Sequence, residues 1–144
     1  MEVFAANEQE IPVDEAMLSS LARHVLDAEN VDEEAELSLL FVSSGHIRRL
    51  NARYAEHDYP TDVLAFPMME DDETSIMLGD VVVCPEVARD NATKYGHPLA
   101  KELATLVVHG TLHLLGYDHQ STFDGTKMEQ RQNELLGSFR LPEA

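Results

Sequence analysis

Residues 99–119 read LAKELATLVVHGTLHLLGYDH, and this stretch decides how the chain must fold. Its first part, roughly Leu99 to Leu115, has apolar residues on nearly every side of a helix, so it predicts the most buried helix of the protein. His109 and His113 lie four positions apart within it. Residues at that spacing share one face of an α-helix, roughly 6 Å apart along the axis, so the two imidazoles can point at one ligand.

A third histidine follows a residue that favours a turn. Gly116 comes directly after the helical stretch, and glycine most readily takes the left-handed conformation that ends a helix. The chain can then turn back and bring His119 to the same point as His109 and His113. Three protein nitrogens with an open fourth position are typical of a catalytic zinc, so we predict that these three histidines bind one Zn²⁺ ion. The alternative is that His109 and His113 are buried histidines of an amphipathic helix and that His119 lies in a loop.

Length and composition are those of a globular domain. The chain has 144 residues, of which 44% are hydrophobic and 26% charged, so we expect one soluble domain whose core folds without a disulfide or a structural metal. Cys84 is the only cysteine and is predicted to be a small apolar residue of a buried strand. The first residues have neither a basic start nor an apolar run, and no apolar run in the chain is long enough to span a membrane. We therefore expect a cytoplasmic protein with no membrane partner.

The charge is large and unevenly distributed. A net charge of −17 argues against a nucleic-acid partner, because affinity for phosphate comes largely from Lys and Arg. Residues 1–36 are rich in acids, which we expect to form a solvated surface. Residues 37–55, in contrast, contain Arg48, Arg49 and Arg53 and no acid, so positive charge gathers only there.

The spacing of apolar residues and the positions of proline and glycine predict the elements of the fold. The predicted strands cover residues 3–6, 35–42, 62–67 and 78–84. The predicted helices cover residues 14–28, 43–54, 85–95, 99–115 and 122–136. This order predicts a single-domain α+β fold, in which a mixed sheet of about four strands is layered with helices.

The histidine stretch has the spacing of the zinc-protease pattern His-Glu-x-x-His-x-x-Gly-x-x-His, so the helix is zincin-like. The glutamate of that pattern is replaced here by Gly110. In the proteases, that glutamate is the base that activates the water on the zinc. Because a glycine can neither take a proton nor orient a water, peptide hydrolysis by that mechanism is disfavoured, although the metal geometry is kept.

Residues 109–119 also resemble the corresponding stretch of the YbeY family, bacterial metal-dependent endoribonucleases of ribosomal RNA maturation. Residues 60–67 (PTDVLAFP), residues 78–84 (LGDVVVC) and the segment 50–58 support the resemblance, which extends in order over residues 35–136. It implies a zinc-dependent endoribonuclease that acts in 16S ribosomal RNA maturation and ribosome biogenesis. The implied partners are ribosomal RNA and small ribosomal subunit proteins, and DNA is not among them.

The expected chemistry is the activation of a water for attack on a phosphodiester, while the ion stabilises the developing charge. His109 is then catalytic through the ion that it binds. Asp118 and Asp80 are the candidates for a carboxylate that holds a ligand imidazole, and we assign Asp118 to the catalytic group. The alternative explanations are a turn residue for Asp118 and a strand-edge carboxylate for Asp80.

RNA is expected to approach the metal along the helix that carries Arg48, Arg49 and Arg53, which we predict to bind the substrate. The alternative is that these arginines only solvate the helix and pair with acids. The family usually has an arginine directly after the tyrosine that corresponds to Tyr54, whereas this chain has Ala55. Three functions therefore remain open: a zinc-dependent hydrolase of RNA, a zinc peptidase of divergent mechanism, and a non-catalytic ribosome-biogenesis factor that retains the zinc site.

Overall fold

The computed structural model describes residues 1–68, 76–117 and 122–139. The elements in these ranges are β1 (Glu2–Asn7), α1 (Glu15–Ala28), β2 (Glu36–Phe41), α2 (Ser44–Ala55), β3 (Val63–Pro67), β4 (Met77–Val83), α3 (Pro85–Tyr95), α4 (Leu99–Leu114) and α5 (Thr122–Ser138). Each corresponds to an element predicted from the sequence, with ends that differ by at most two residues.

The strands form one sheet in the order β1-β2-β4-β3. β1 pairs with β2 and β2 pairs with β4 in parallel, whereas β3 pairs antiparallel with β4. In the antiparallel pair, Val63 lies opposite Val83 and Pro67 lies opposite Gly79. The sheet is therefore mixed and four-stranded, which confirms the predicted α+β fold class.

Helices cover both faces of the sheet. On one face, Leu39 and Phe41 of β2 belong to the main core, which also takes in buried residues of α1 and α4. On the other face, Val42 and Val82 pack with Ile47 of α2 in a smaller cluster. Successive side chains of a strand point to opposite faces, so β2 contributes to both clusters. The helix with the arginines and the helix with the histidines consequently lie on opposite faces of the sheet.

α4 is extensively buried, as predicted. It contacts α1, α3, α5 and the strands β3 and β4, and its buried residues lie on nearly all of its sides. The helix is followed by Gly116, whose φ of 101° confirms the predicted turn. Cys84 is completely buried at the end of β4, also as predicted. No helix in the described ranges is long and apolar enough to cross a membrane.

Two helices, α1 and α2, begin with capping residues that the sequence offers. The side chain of Asp14 accepts a hydrogen bond from the backbone N–H of Met17 at 3.0 Å and begins α1. The hydroxyl of Ser43 accepts one from the N–H of His46 at 3.2 Å and begins α2. Such caps satisfy backbone donors that the helix itself leaves without partners, so they fix where α1 and α2 begin.

Candidate metal centre

His109 and His113 form the centre of the candidate site. Their ring centroids lie 4.9 Å apart, with the ring planes at 69°, and both residues are partly buried. Because α4 is helical through both positions, the predicted spacing makes the two imidazoles neighbours on one face. Imidazole nitrogens are preferred donors of Zn²⁺, so the residues present here fit that ion.

The third predicted ligand, His119, and the predicted catalytic Asp118 lie outside the described residues. The turn that leads toward them is described: the N–H of Gly116 donates to the carbonyl of His113 at 3.0 Å. Within the described part of the chain, no three His, Cys, Asp or Glu side chains are grouped to hold a metal ion. The roles of His119 and Asp118 therefore stay predictions.

α5 contributes a residue to the site that the sequence analysis missed. Oε1 of Gln132 lies 3.1 Å from Nδ1 of His109, in a partly buried position. No spacing rule links a glutamine to a histidine that far back in the chain. Helical spacing along α5 could have indicated Gln132. Met128 and Leu135 are both buried, and Gln132 lies one turn from each on the same side of the helix.

A partly buried carboxylate beside α4, that of Asp62, was also missed. Burial raises the pKa of Asp62; nearby backbone N–H groups, and His109 when its ring is protonated, oppose this rise, and Glu102 adds to it. Nδ2 of Asn91 donates to Oδ2 of Asp62 at 3.3 Å. Asp62 could have been found from the sequence, because it lies in the segment 60–67 that supports the family resemblance. The role considered for Asp80, which lies in β4, stays a prediction.

Glu102 extends the polar side of α4 by two turns. It precedes His109 by seven positions and therefore lies on nearly the same face of the helix. Its side chain is buried, and Nε2 of His97 donates to its carboxylate at 2.5 Å. A buried carboxylate needs such a partner. We call Glu102, His109, His113 and the facing Asp62 the polar row.

Gly110 faces the sheet. A Cβ atom added at this residue would lie 2.6 Å from Cγ1 of Val81 in β4 and 3.3 Å from Cγ2 of Val63 in β3. Gly110 stands where the zinc proteases have their catalytic glutamate, and the space that a side chain would need at this position is occupied by the sheet. This contact gives a steric reason for the glycine, beyond its lack of a basic side chain.

The three predicted substrate-binding arginines lie together on α2. Arg48, Arg49 and Arg53 line one open depression of about 490 Å³. Nε of Arg48 donates to Oδ1 of Asp58 at 2.8 Å, and this hydrogen bond raises the pKa of Arg48 and lowers that of Asp58. Among the residues that the structure describes, no acid forms an ion pair with Arg49 or Arg53. The alternative that the arginines pair with acids thus applies to Arg48.

Two exposed tyrosines adjoin the arginines. Tyr54 and Tyr59 are 59% and 54% exposed, and the guanidinium carbon of Arg53 lies 5.3 Å from the Tyr54 ring centroid. The ring of His57 lies 5.4 Å from that of Tyr59. Tyr59 precedes Asp62 by three residues, so their Cα atoms lie within about 11 Å of each other. The exposed aromatic and basic surface therefore ends close to the polar row.

Ala55 is the last residue of α2, and Glu56 follows in the left-handed conformation with φ of 60°. Positions 53 and 55 are both helical, so they lie about 200° apart around the helix axis. Arg53 therefore does not take the place of the family arginine.

Comparison with known proteins identifies the family. The sequence model of one family, Endoribonuclease YbeY, matches residues 4–140. This chain belongs to the YbeY family. A protein of Pelotomaculum thermopropionicum named Endoribonuclease YbeY is 45% identical, with 98% of this chain and 99% of that protein covered. The protein of the same name from Thermobifida fusca is 44% identical, with 97% and 95% covered.

The fold agrees with a solved structure. The solution structure of TM1509 from Thermotoga maritima superimposes with a TM-score of 0.62 at 31% sequence identity. The comparison covers 96% of this chain and 91% of the Thermotoga protein. The resemblance inferred from the histidine stretch is thereby confirmed at the level of the family and of the fold.

Proposed function

We propose that this chain is a zinc-dependent endoribonuclease that acts on ribosomal RNA, including the maturation of 16S RNA, in the cytoplasm. The observation that carries the proposal is the pair of neighbouring imidazoles of His109 and His113 on the central helix of a YbeY-family fold. The relatives named Endoribonuclease YbeY, similar over nearly their full lengths, support the nuclease activity. Small ribosomal subunit proteins are proposed as further partners because the RNA would be presented within that particle.

The metal would be held by His109, His113 and, outside the described residues, His119. A bound Zn²⁺ ion would supply a Lewis acid that activates water and stabilises charge developing on the phosphate. The protein holds the two described ligands on a helix that is buried on nearly all sides, so their rings have little room to move apart. When ionised, Asp62 and Glu102 would add negative charge on the same side of α4, which favours a cation.

The RNA would contact the arginines of α2 and the neighbouring tyrosines. Arg49 and Arg53 can each neutralise a phosphate, which offsets locally the net charge of −17. The exposed rings of Tyr54 and Tyr59 offer flat faces on which unpaired bases can stack. This combination favours single-stranded RNA, whose strand would run past Tyr59 toward the polar row.

One observation favours a second candidate function. Ala55 stands where the family usually has an arginine, and Arg53 points to another side of the helix. A non-catalytic ribosome-biogenesis factor that binds RNA and zinc would not need that arginine. A zinc peptidase has less support, because Gly110 packs against Val81 and leaves no space for a catalytic glutamate.

The decisive experiment incubates the purified chain with a transcript of small-subunit ribosomal RNA. Cleavage is measured with Zn²⁺, after chelation, and after Zn²⁺ is restored. We expect products that disappear with chelator, return with zinc and are absent for His113→Ala. His24→Ala is the matched control, because His24 lies on α1 and is not one of the predicted metal ligands; its Nε2 lies 2.7 Å from the hydroxyl of Ser138. Cleavage that persists with chelator would contradict the metal-dependent mechanism, and RNA binding without cleavage would favour the second candidate.

A further inference from the structure

Gln132 reaches the metal centre from a helix that is firmly anchored. Nε of Arg131, the residue before it, donates to Oε1 of Glu29 at 2.5 Å, and the same guanidinium donates to the carbonyl of Ala28 at 3.3 Å. Met128 and Leu135 are each 1% exposed in the core. With these contacts on both sides, the backbone of α5 at position 132 has a fixed distance from α4.

The contact between Gln132 and His109 has a chemical consequence. A neutral imidazole carries one N–H and one lone pair, and the amide oxygen of glutamine can only accept. An acceptor oxygen 3.1 Å from Nδ1 favours the form of the ring with the proton on Nδ1 and the lone pair on Nε2. Metal ions bind the nitrogen that carries the lone pair, and the partner of the other nitrogen sets which one that is.

We propose that Gln132 is a positioning residue that holds the His109 ring in the Nδ1–H form and thereby makes Nε2 its metal-binding atom. The inference rests on the proposed metal centre and assigns the orientation of His109 to an uncharged partner on α5. Among the described residues, the partly buried Asp62 and the buried Glu102 are acids on this side of α4, and Glu102 already accepts from His97. An amide oxygen fixes the ring without adding a further negative charge to this row.

The test uses three variants of the full chain. Gln132→Leu removes the acceptor at similar volume, and Gln132→Glu keeps an acceptor oxygen at the same position. Gln130→Leu is the matched control, because Gln130 lies on the same helix and is exposed. The circular dichroism spectrum and the thermal midpoint of each variant establish that α5 is folded.

Two measurements decide the inference. The first is the Zn²⁺ dissociation constant, obtained by competition with a chromophoric chelator. We expect it to rise about 10- to 100-fold in Gln132→Leu, the range found when the hydrogen-bonding partner of a metal ligand is removed. It should stay near the wild-type value in Gln132→Glu and Gln130→Leu. An unchanged dissociation constant in a folded Gln132→Leu would overturn the inference.

The second measurement is the ¹⁵N spectrum of the His109 ring in the metal-free protein. We expect the Nδ1–H form in the wild type and a mixture of the two forms in Gln132→Leu. A wild-type ring protonated on Nε2 would mean that the Gln132 amide is turned to donate, which overturns the inference. This measurement needs no metal, so it distinguishes failure of the inference from failure of the proposed function, which would appear as absence of zinc binding by the wild type.

Discussion

Replacing Gly110 with alanine should destabilise the protein, although alanine normally favours a helix. The added Cβ would lie 2.6 Å from Cγ1 of Val81 and 3.3 Å from Cγ2 of Val63. Val81 is completely buried in the interior strand β4, and its branched side chain has few alternative rotamers. Relief of the contact therefore requires α4 and the sheet to move apart.

The magnitude follows from two opposing effects. Overpacking a core costs about 1–3 kcal/mol, and a 2.6 Å contact with a rigid neighbour places this site in the upper half of that range. Alanine recovers about 0.5–1 kcal/mol relative to glycine within a helix. The free energy of unfolding of Gly110→Ala should thus fall by about 1–2.5 kcal/mol.

The assay is urea denaturation followed by circular dichroism, in the presence of chelator so that metal binding does not shift the equilibrium. Gly137→Ala is the control, because α5 is helical at Gly137 and no neighbouring atom lies within 4 Å of the position of its added Cβ. This variant should gain stability, by no more than about 1 kcal/mol. The opposite signs are the diagnostic result. A Gly110→Ala variant as stable as the wild type would refute the argument that the sheet requires glycine at this position.

Three further predictions concern the metal, the RNA and the thiol. Chelation, or His113→Ala, should abolish zinc binding but leave most of the far-ultraviolet circular dichroism, because the core is formed by apolar packing. Cooperative unfolding on metal removal would show instead that the site is structural. The double variant Arg49→Ala/Arg53→Ala should bind single-stranded RNA more weakly in filter binding, and the slope of log K against log salt should fall by about 0.7 for each phosphate that is no longer neutralised. Ala55→Arg should increase cleavage, which a cleavage assay measures. Burial raises the pKa of Cys84, so the folded state holds the thiol proton more tightly than the unfolded state. Stability should therefore decrease as pH rises above about 8.5, and Cys84→Ala should lose that part of the pH dependence in denaturation measurements; an identical pH profile for both proteins would contradict it.

The sequence predicted the elements well because their signals are local. Apolar spacing, the caps at Asp14 and Ser43 and the stop at Gly116 involve residues within one or two turns of one another. The order β1-β2-β4-β3 was not predicted, because apolar alternation shows that a strand is buried but not which strand lies beside it. The mixed sheet of about four strands was predicted from the order of strands and helices along the chain.

The same distinction applies to the site. His109 and His113 were found because both lie on one helix, where position in the sequence fixes position in space. Asp62 and Gln132 were missed because each reaches the site from another element, and their placement depends on how β3 and α5 pack against α4. Long-range packing of this kind leaves no spacing pattern in the chain.

The anchoring of α5 also affects when the site can form during synthesis. Glu29 and Arg131 are joined across a sequence separation of 102 residues, and the partner of His109 lies 23 residues after it. A chain still emerging from the ribosome can form α1, the sheet and even α4 before residue 132 has been made, because the N-terminal parts fold first. Until then, no side chain of α5 selects between the two tautomers of the His109 ring. Full assembly of the centre therefore waits until residue 132 has been made and α5 has packed against α4.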